Sequence, residues 1–568
     1  MVPKPSVKES GLMWRSIPPF KGYGMAGMRC WKKRWNWRNH KMTMNLKKII
    51  LLSLMLYAPM GLFSQEKNFI TGKLVDEATR EPVVFATVRL KGKSVGVISN
   101  ADGSFVVPDE YLALGDVLEI SCLGYRTLEV KLSDLNVDQV NIISVKEEIF
   151  NLDETVVIGK RTKRYGAQEI VKKAIENIPE NYPNGPFSLV GYYRDYQVDE
   201  GTYINLNEAI LEVFDPGFNS MDRSATKVQM YDQRINKTFK VDTLARQSYD
   251  YRKGQKTIEK AFLKPYGGNE FTILRVHDAI RNYLVDSYDF VNVLQTDFIP
   301  HHTFSKMDPI NFDGEPLYVI EFKRNRQDNL ATGKLYVSQF DFSIYKMEYA
   351  LFNKNVTRET KEKGNQFMGN HLVFEVVLEY RKKDDQMYLN YISFHNAFEL
   401  RLPPAFIVED VVMDINRKCL VVNFNTEPET RSALEHRSYS IRYKGKRLSF
   451  RLMEKEGNSV LLYPRMDENE LKDMVTTLKE TDTRGGPLNK LLEIEVKDVR
   501  NLQGELINAV HTKDYEQYRE FFAQNINEGK TAPLNGEFMP DDKPIFSSKA
   551  VSGEKETIFW MNPPLIRN

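Results

Sequence analysis

The sequence predicts a mainly β, multidomain protein in which two sandwich-like units flank a central antiparallel sheet that carries a few helices. Three observations lead there. Residues 69–132 alternate short apolar runs with turn residues about every 8–12 positions, the rhythm of a sandwich. Between residues 187 and 398 lie successive aromatic and β-branched runs of strand length, with period-2 stretches such as Tyr203-Ile204-Asn205-Leu206-Asn207-Glu208. Helical periodicity is confined to a handful of segments.

The N-terminal end sets the compartment. The 568 residues hold 79 Lys+Arg against 77 Asp+Glu. Residues 1–43 contain Trp14, Trp31, Trp35 and Trp37, and their only acid among many basic residues is Glu9. That composition would suit a nucleic-acid arm, but the adjoining stretch suits a different reading. Met44-Asn45-Leu46-Lys47-Lys48, the apolar run Ile49–Phe63 and then Ser64-Gln65 have the n-region, h-region and cleavage zone of a bacterial secretory signal. The expectation is that translation starts at Met44, that residues 1–43 precede the true start, and that residues 44–64 are a signal peptide. Pro59 interrupts an apolar run shorter than the ~20 residues of a membrane-spanning helix, so cleavage is favoured over anchoring. No Cys follows the cleavage zone to take a lipid. Removing residues 1–64 takes away 12 basic and one acidic side chain, leaving 67 Lys+Arg against 76 Asp+Glu. An acidic exported chain is a poor partner for nucleic acid or anionic membrane. Cys122 and Cys419 fall in different expected domains, so no disulfide framework is expected.

The first module, residues 66–148, contains strands at Ile70–Val75, Val83–Lys91, Val97–Ser99, Ser104–Val107 and Val117–Ser121, with a turn at Asn100-Ala101-Asp102-Gly103. It is expected to fold without the rest of the chain, because it has its own turns and ends at a polar connector. The runs GKLVDEATREPVVFATVRLKGKSVGVISNADGSFVV and GDVLEISCLGYRTLEVKL resemble the carboxypeptidase regulatory-like domain at the start of many surface and outer-membrane proteins of Bacteroidetes-type bacteria. The resemblance implies a non-catalytic β-sandwich. Residues 149–166 read as a linker. The stretch EEIFNLDETVVIG (147–159) resembles the segment that joins such a domain to the plug of TonB-dependent receptors, with Thr155 where the first Val would stand. The roughly 400 residues after it are too few for a plug and a 22-strand barrel of ~10-residue strands.

The central domain, residues 167–402, opens with the clearest helix. Ala167, Ile170, Val171, Ala174, Ile175 and Ile178 repeat at helical spacing, and Pro179 ends the run. Strands are expected at Phe187–Val198, Thr202–Phe214, Leu317–Asn325, Gly333–Val337, Ser343–Phe352, His371–Arg381 and Met387–Phe398, with short helices at Ile258–Leu263 and Val276–Val285. The strand order resembles the exported half-barrel of LolA-like lipoprotein carriers, which implies a groove for an acyl chain or hydrophobic peptide. The aromatic residues either line such a groove or fill the core of the sheet.

Residues 403–512 read as a second sandwich-like unit with a helix at Glu468–Lys479. Its closing LEIEVKDVRNLQGE resembles the end of bacterial Ig-like domains, which implies a spacer or adhesive role. For residues 513–568 the spacing of Tyr515, Tyr518, Phe521, Phe522 and Ile526 predicts an amphipathic helix over Tyr515–Ile526. An extended tail comes after it, with Phe559-Trp560 as its anchor.

The sequence points to no catalytic, cofactor-binding or metal-binding residue. It lacks H-E-x-x-H, G-x-S-x-G, a P-loop, a dinucleotide fingerprint and zinc spacing. His301-His302, beside Asp297 and Asp308, would point to opposite faces of a strand and make a poor metal pair. The carboxylate pairs Asp109-Glu110, Asp384-Asp385 and Asp541-Asp542 sit in turn-like or chain-end contexts. The reading is therefore an exported binding or assembly protein of the cell envelope, located in the periplasm or on the outer-membrane surface. Its partner would be an envelope protein, a lipid or a glycan. The alternatives are an envelope hydrolase with a site in the central domain and a structural outer-membrane component.

Overall fold

The computed structural model describes residues 69–148 and 165–563 apart from 94, 114, 221–225, 236–238, 250–255, 257–267, 286–290, 292, 355–365, 368–369, 484–490, 542, 548–549 and 551–559, together with short strands at Val7–Lys8 and Gly11–Trp14. The expected signal peptide, most of the linker and the helix at Ile258–Leu263 lie outside these residues.

The first module is a sandwich of seven strands: β1 (Phe69–Asp76), β2 (Thr87–Leu90), β3 (Gly96–Ile98), β4 (Ser104–Pro108), β5 (Val117–Ser121), β6 (Leu128–Lys131) and β7 (Asn141–Val145). One sheet runs β4-β1-β7, the other β3-β2-β5-β6. Alternate residues of both point inward, so Ile70, Leu74, Val88, Phe105, Leu118 and Leu132 form the core. The expectation of a self-contained module meets a core completed from outside it. Trp560, more than 400 positions downstream, is fully buried in this cluster. The module and the central domain also belong to one compact unit, residues 63–400 with 513–568.

The central domain is built on one large antiparallel sheet. Its strands are β8 (Phe187–Asp199), β9 (Thr202–Asp215), β10 (Lys227–Ile235), β11 (Thr303–Lys306), β12 (Ile310–Phe312), β13 (Glu315–Asn325), β14 (Asn329–Ser338), β15 (Ile344–Asn353), β16 (Gln366–Phe367), β17 (Asn370–Lys383), β18 (Gln386–Leu402) and β19 (His511–Glu528). The order is β10-β9-β8-β19-β18-β17-β15-β14-β13-β11, with β12 on β13 and β16 on β17. Among the described residues the end strands β10 and β11 do not meet, so the sheet is open rather than a closed barrel.

The predicted helix over Tyr515–Ile526 is instead β19, the longest strand among the described residues, seated between β8 and β18. Its apolar spacing mimics a helix because the strand is bulged. Val190 pairs with Asn525 and Gly191 with Ala523, which leaves Gln524 without a partner in the ladder. The bulge shifts the parity, so Phe521, Ala523 and Ile526 all join the same core.

Gly191 makes the bulge possible. A Cβ there would lie 2.4 Å from the Phe522 carbonyl oxygen and 2.5 Å from the Phe521 ring. Gly191→Ala is expected to cost about 1–3 kcal/mol by overpacking, read as a lower denaturation midpoint. An unchanged midpoint would mean that the bulge adapts freely.

Helices cover one face of this sheet. In α1 (Ala167–Glu176) the residues Ile170, Val171, Ala174 and Ile175 are buried, as the periodicity requires. The short helix α2 (Glu270–Val276) is capped by Asn269, whose side chain accepts from the Thr272 amide at 2.8 Å. It precedes the helix expected at Val276–Val285, where the chain makes turns instead. The Asp278 carboxylate accepts from the Ile280 and Arg281 amides and opens a new turn there.

Residues 401–512 form a separate compact unit. One sheet holds Val408–Asp414, Cys419–Phe424, Ser459–Pro464 and Phe450–Glu456, extended by Gly11–Trp14 on Val411–Asp414. A smaller sheet holds Tyr439–Tyr443, Lys446–Arg447 and Leu492–Val496. Both share a core with the helix Glu468–Thr483, which buries Met474 and Leu478. A capping box starts this helix. Asp467 accepts from the Asn469 and Glu470 amides at 2.8 Å, and Glu470 accepts from the Asp467 amide at 3.1 Å. Cys122 and Cys419 are free, each thiol pushed up to about 11 by burial.

Candidate functional site

Strand period places consecutive residues of β8 and β19 on opposite faces of the central sheet, and each face carries its own buried polar cluster. On the helix-covered face, Arg519 of β19 donates through Nε to Glu270 of α2 and through Nη1 to Asn396 at 2.6 Å. The Lys256 ammonium lies 3.3 Å from the same carboxylate, donates to the Ala245 carbonyl at 2.8 Å, and sits 4.5 Å from the ring centres of Tyr249 and Phe398. Asp195 of β8 accepts from Tyr193 Oη at 2.8 Å and Asn207 Nδ2 at 2.9 Å.

Burial acts differently on these four charges. It would push the Glu270 carboxyl up, but Arg519 and Lys256 outweigh it and hold Glu270 below the carboxylate range. Burial lowers Lys256 despite Glu270. Asp195, with Glu270 near and no direct cation, is pushed up to about 7, chiefly by desolvation. Such a set could transfer protons, but no member is more than about a tenth exposed.

Asp195 gives this cluster a pH signature. A carboxyl raised in the folded state stabilises the fold fully below its unfolded value, and that contribution is lost as pH rises through about 7. The buried His277 and His302, pushed down to about 3 and 4 by desolvation, act in the opposite sense, their contribution being lost as pH falls. The stability difference between the native chain and Asp195→Asn isolates the one group. It is expected to favour the native chain most below about pH 4 and to shrink steadily towards about pH 8. A difference independent of pH would show that Asp195 stays ionised.

Beside this cluster, among the described residues, lies a cavity of about 50 Å³, walled by Phe187, Leu189, Phe271 and Phe521 and edged by Arg281 and Asp278. It is about a third of the ~150 Å³ that admits benzene. Arg281 is committed to Asp215 through two bonds of 2.8 Å, and Asp278 accepts from Tyr380 Oη at 2.6 Å. Among the described residues the aromatic side chains are buried in the core of the sheet, and α2 packs on the face that the carrier resemblance would leave as a groove.

The opposite face carries the module. Phe522, Val377 and Tyr391 of the sheet pack with Ile98 and Phe85 of the module, the rings of Phe85 and Tyr391 lying 5.6 Å apart. Arg194 is the hub of this junction. Its Nε donates to Glu520, and its Nη1 to both Asn100 Oδ1 and the Asn562 carbonyl. Burial opposes its charge, and Glu520 outweighs burial to hold the guanidinium protonated. The bulged Gln524 donates to the carbonyls of Gly96 at 2.9 Å and Trp560 at 2.7 Å.

None of the histidines and carboxylate pairs weighed in the sequence as site residues belongs to either cluster. His302 is buried between Phe298 and Phe322 with Nδ1 at 2.8 Å from the Phe298 carbonyl, while His301 faces solvent. Asp384 and Asp385 form a hairpin turn with φ of 46° and 64°. Asp109-Glu110 lie in a 3-10 turn, and Asp542 is outside the described residues. Among the described residues no cluster of His, Cys, Asp or Glu could hold a metal ion. The signal for the two clusters is a charge at a position that strand period turns inward, as at Arg194, Asp195, Arg519 and Glu520.

Comparison with known proteins agrees with the module. Residues 70–157 match the CarboxypepD_reg-like domain family, so the chain carries that domain at its N-terminal end. The chain is 33% identical over 114 residues to the TonB-dependent receptor SusC of Bacteroides thetaiotaomicron, covering 20% of this chain and 10% of the receptor. It thus spans about a tenth of that relative's length.

Among solved structures, a DUF1329 family protein from Desulfovibrio piger is 9% identical, covering 41% of this chain and 87% of its own, with a TM-score of 0.19. An outer membrane lipoprotein-sorting protein domain from Vibrio parahaemolyticus is 10% identical over 40% of this chain and 84% of its own, with a TM-score of 0.17. MucB, solved in complex with MucA(peri), is 7% identical over 55% and 97%, with a TM-score of 0.14. Likenesses this slight carry no argument about ligand or mechanism. Among the described residues no helix is long and apolar enough to cross a membrane.

Proposed function

We propose that this chain is an exported, non-catalytic assembly protein of the bacterial cell envelope, with its CarboxypepD_reg-like domain held as a fixed docking face. One observation carries the reading. Among the described residues the large sheet packs its own helices and turns on one face, beside a cavity of about 50 Å³, and joins the module on the other. That packing supports a sheet whose faces are taken up by the chain itself rather than by a carried acyl chain. The match of the first module to part of SusC supports an envelope setting.

The test is to isolate the protein from its native envelope, extract it with organic solvent, and weigh it intact by mass spectrometry before and after extraction. The expected result is protein in the envelope fraction with no stoichiometric lipid. A stoichiometric acyl ligand would sink the assembly reading in favour of a carrier. Hydrolysis of peptide, ester or glycoside substrates, abolished by Glu270→Gln, would sink it in favour of an enzyme.

A further inference from the structure

The junction between module and sheet holds the tripeptide Trp560-Met561-Asn562 in a way that reads its sequence. Its first and second side chains enter different pockets. The Trp560 ring fills the core of the module 5.9 Å from Tyr111, and its indole Nε1 donates to the Val106 carbonyl at 2.6 Å. Met561 enters a pocket of the central sheet made by Val190, Tyr192 and Ile210. Asn562 uses both ends of its amide. Its Oδ1 accepts from the Val106 amide at 2.9 Å, and its Nδ2 donates to the Ile98 carbonyl at 2.7 Å. The amide thereby bridges the main chains of β3 and β4, which an aspartate could not do because it has no donor.

The tripeptide backbone is read as well. The Trp560 carbonyl accepts from Gln524, and the Asn562 carbonyl from Arg194. Trp560, Met561 and Asn562 are 0, 4 and 1% exposed. A tail held by hydrophobic burial alone would need none of these matched donors and acceptors. An aromatic anchor sunk in a pocket and ringed by hydrogen bonds is the anatomy of a peptide-recognition hot spot.

We propose that the cleft between the first module and the central sheet is a peptide-binding site specific for Trp-Met-Asn, filled in cis by the chain's own residues 560–562. The built-in ligand staples the module to the sheet. Its recognition is by side chain and sequence, so the same segment supplied as a separate peptide takes its place.

The experiment cuts the chain only after it has folded. A protease site replaces residues 551–555 of the full chain, and cleavage turns residues 556–568 into a non-covalent peptide. That peptide is expected to co-elute with the protein in gel filtration and to exchange with an added fluorescent peptide of residues 556–568. Peptides carrying Trp560→Ala or Asn562→Asp are expected to exchange in at least about 30-fold more weakly, and the uncut chain should not take up the probe. Loss of the cut peptide on the column, or equal uptake of native and substituted peptides, would overturn the proposal. Equal uptake by cut and uncut protein would overturn it too, because the probe would then be binding elsewhere.

Discussion

Arg194→Ala is expected to lower the unfolding free energy by about 3–5 kcal/mol, the usual consequence of breaking a buried ion pair from one side. Glu520 would be left charged in the dry junction between sheet and module, and Asn100 and the Asn562 carbonyl would each lose a donor. Chemical denaturation measures the loss. Arg194→Met combined with Glu520→Leu should recover much of it, because an apolar pair avoids the stranded charge. If Arg194→Ala stays within about 1 kcal/mol of the native chain, water reaches the junction and the pair is not its hub.

The second large effect compares neighbours on one strand. Phe521 and Phe522 are each 2% exposed but face opposite sides of the sheet. Phe521→Ala is expected to cost about 3–5 kcal/mol. It removes a ring 5.6 Å from Phe271 and opens its space into the cavity that Phe521 already walls. The enlarged apolar hole should bind benzene, which would raise the Tm of this variant and leave the native chain unchanged. Phe522→Ala removes the contact with Ile98 and Tyr391 instead. It should expose the module to limited proteolysis before the central sheet unfolds. Identical proteolysis patterns for the two variants would mean that both faces melt as one.

Most of the fold was legible in the residues. The helix of Ala167–Glu176 and the strands from Phe187 to Leu402 arise from 3.6- and 2-residue periods, which burial on one face imposes. The closing strand was not legible, for two physical reasons. Its bulge at Gln524 breaks the alternation and leaves apolar residues at helical intervals. Its inward Gln517 and Arg519 pair with Gln197 and Glu270, partners hundreds of residues away that no local window contains. The polar clusters share that origin, because each joins β8 to β19 and neither strand shows its charges paired within its own neighbourhood. The docking of Trp560 was signalled only by its isolation in a polar tail. The Asn562 beside it, as important to the contact, had no signal at all.

The placement of β19 also fixes the order of events as the chain folds. Phe187 pairs with Glu528 across more than 300 intervening residues, and closing a loop that long is slow. Until the last tenth of the chain arrives, β8 and β18 are two raw strand edges facing an empty slot, and exposed edges recruit other chains. A nascent chain that stops short of residues 511–528 therefore cannot hold a finished central sheet. Truncation before residue 511 should leave an aggregating sheet in two halves rather than a smaller stable domain. The polypeptide therefore completes its middle last.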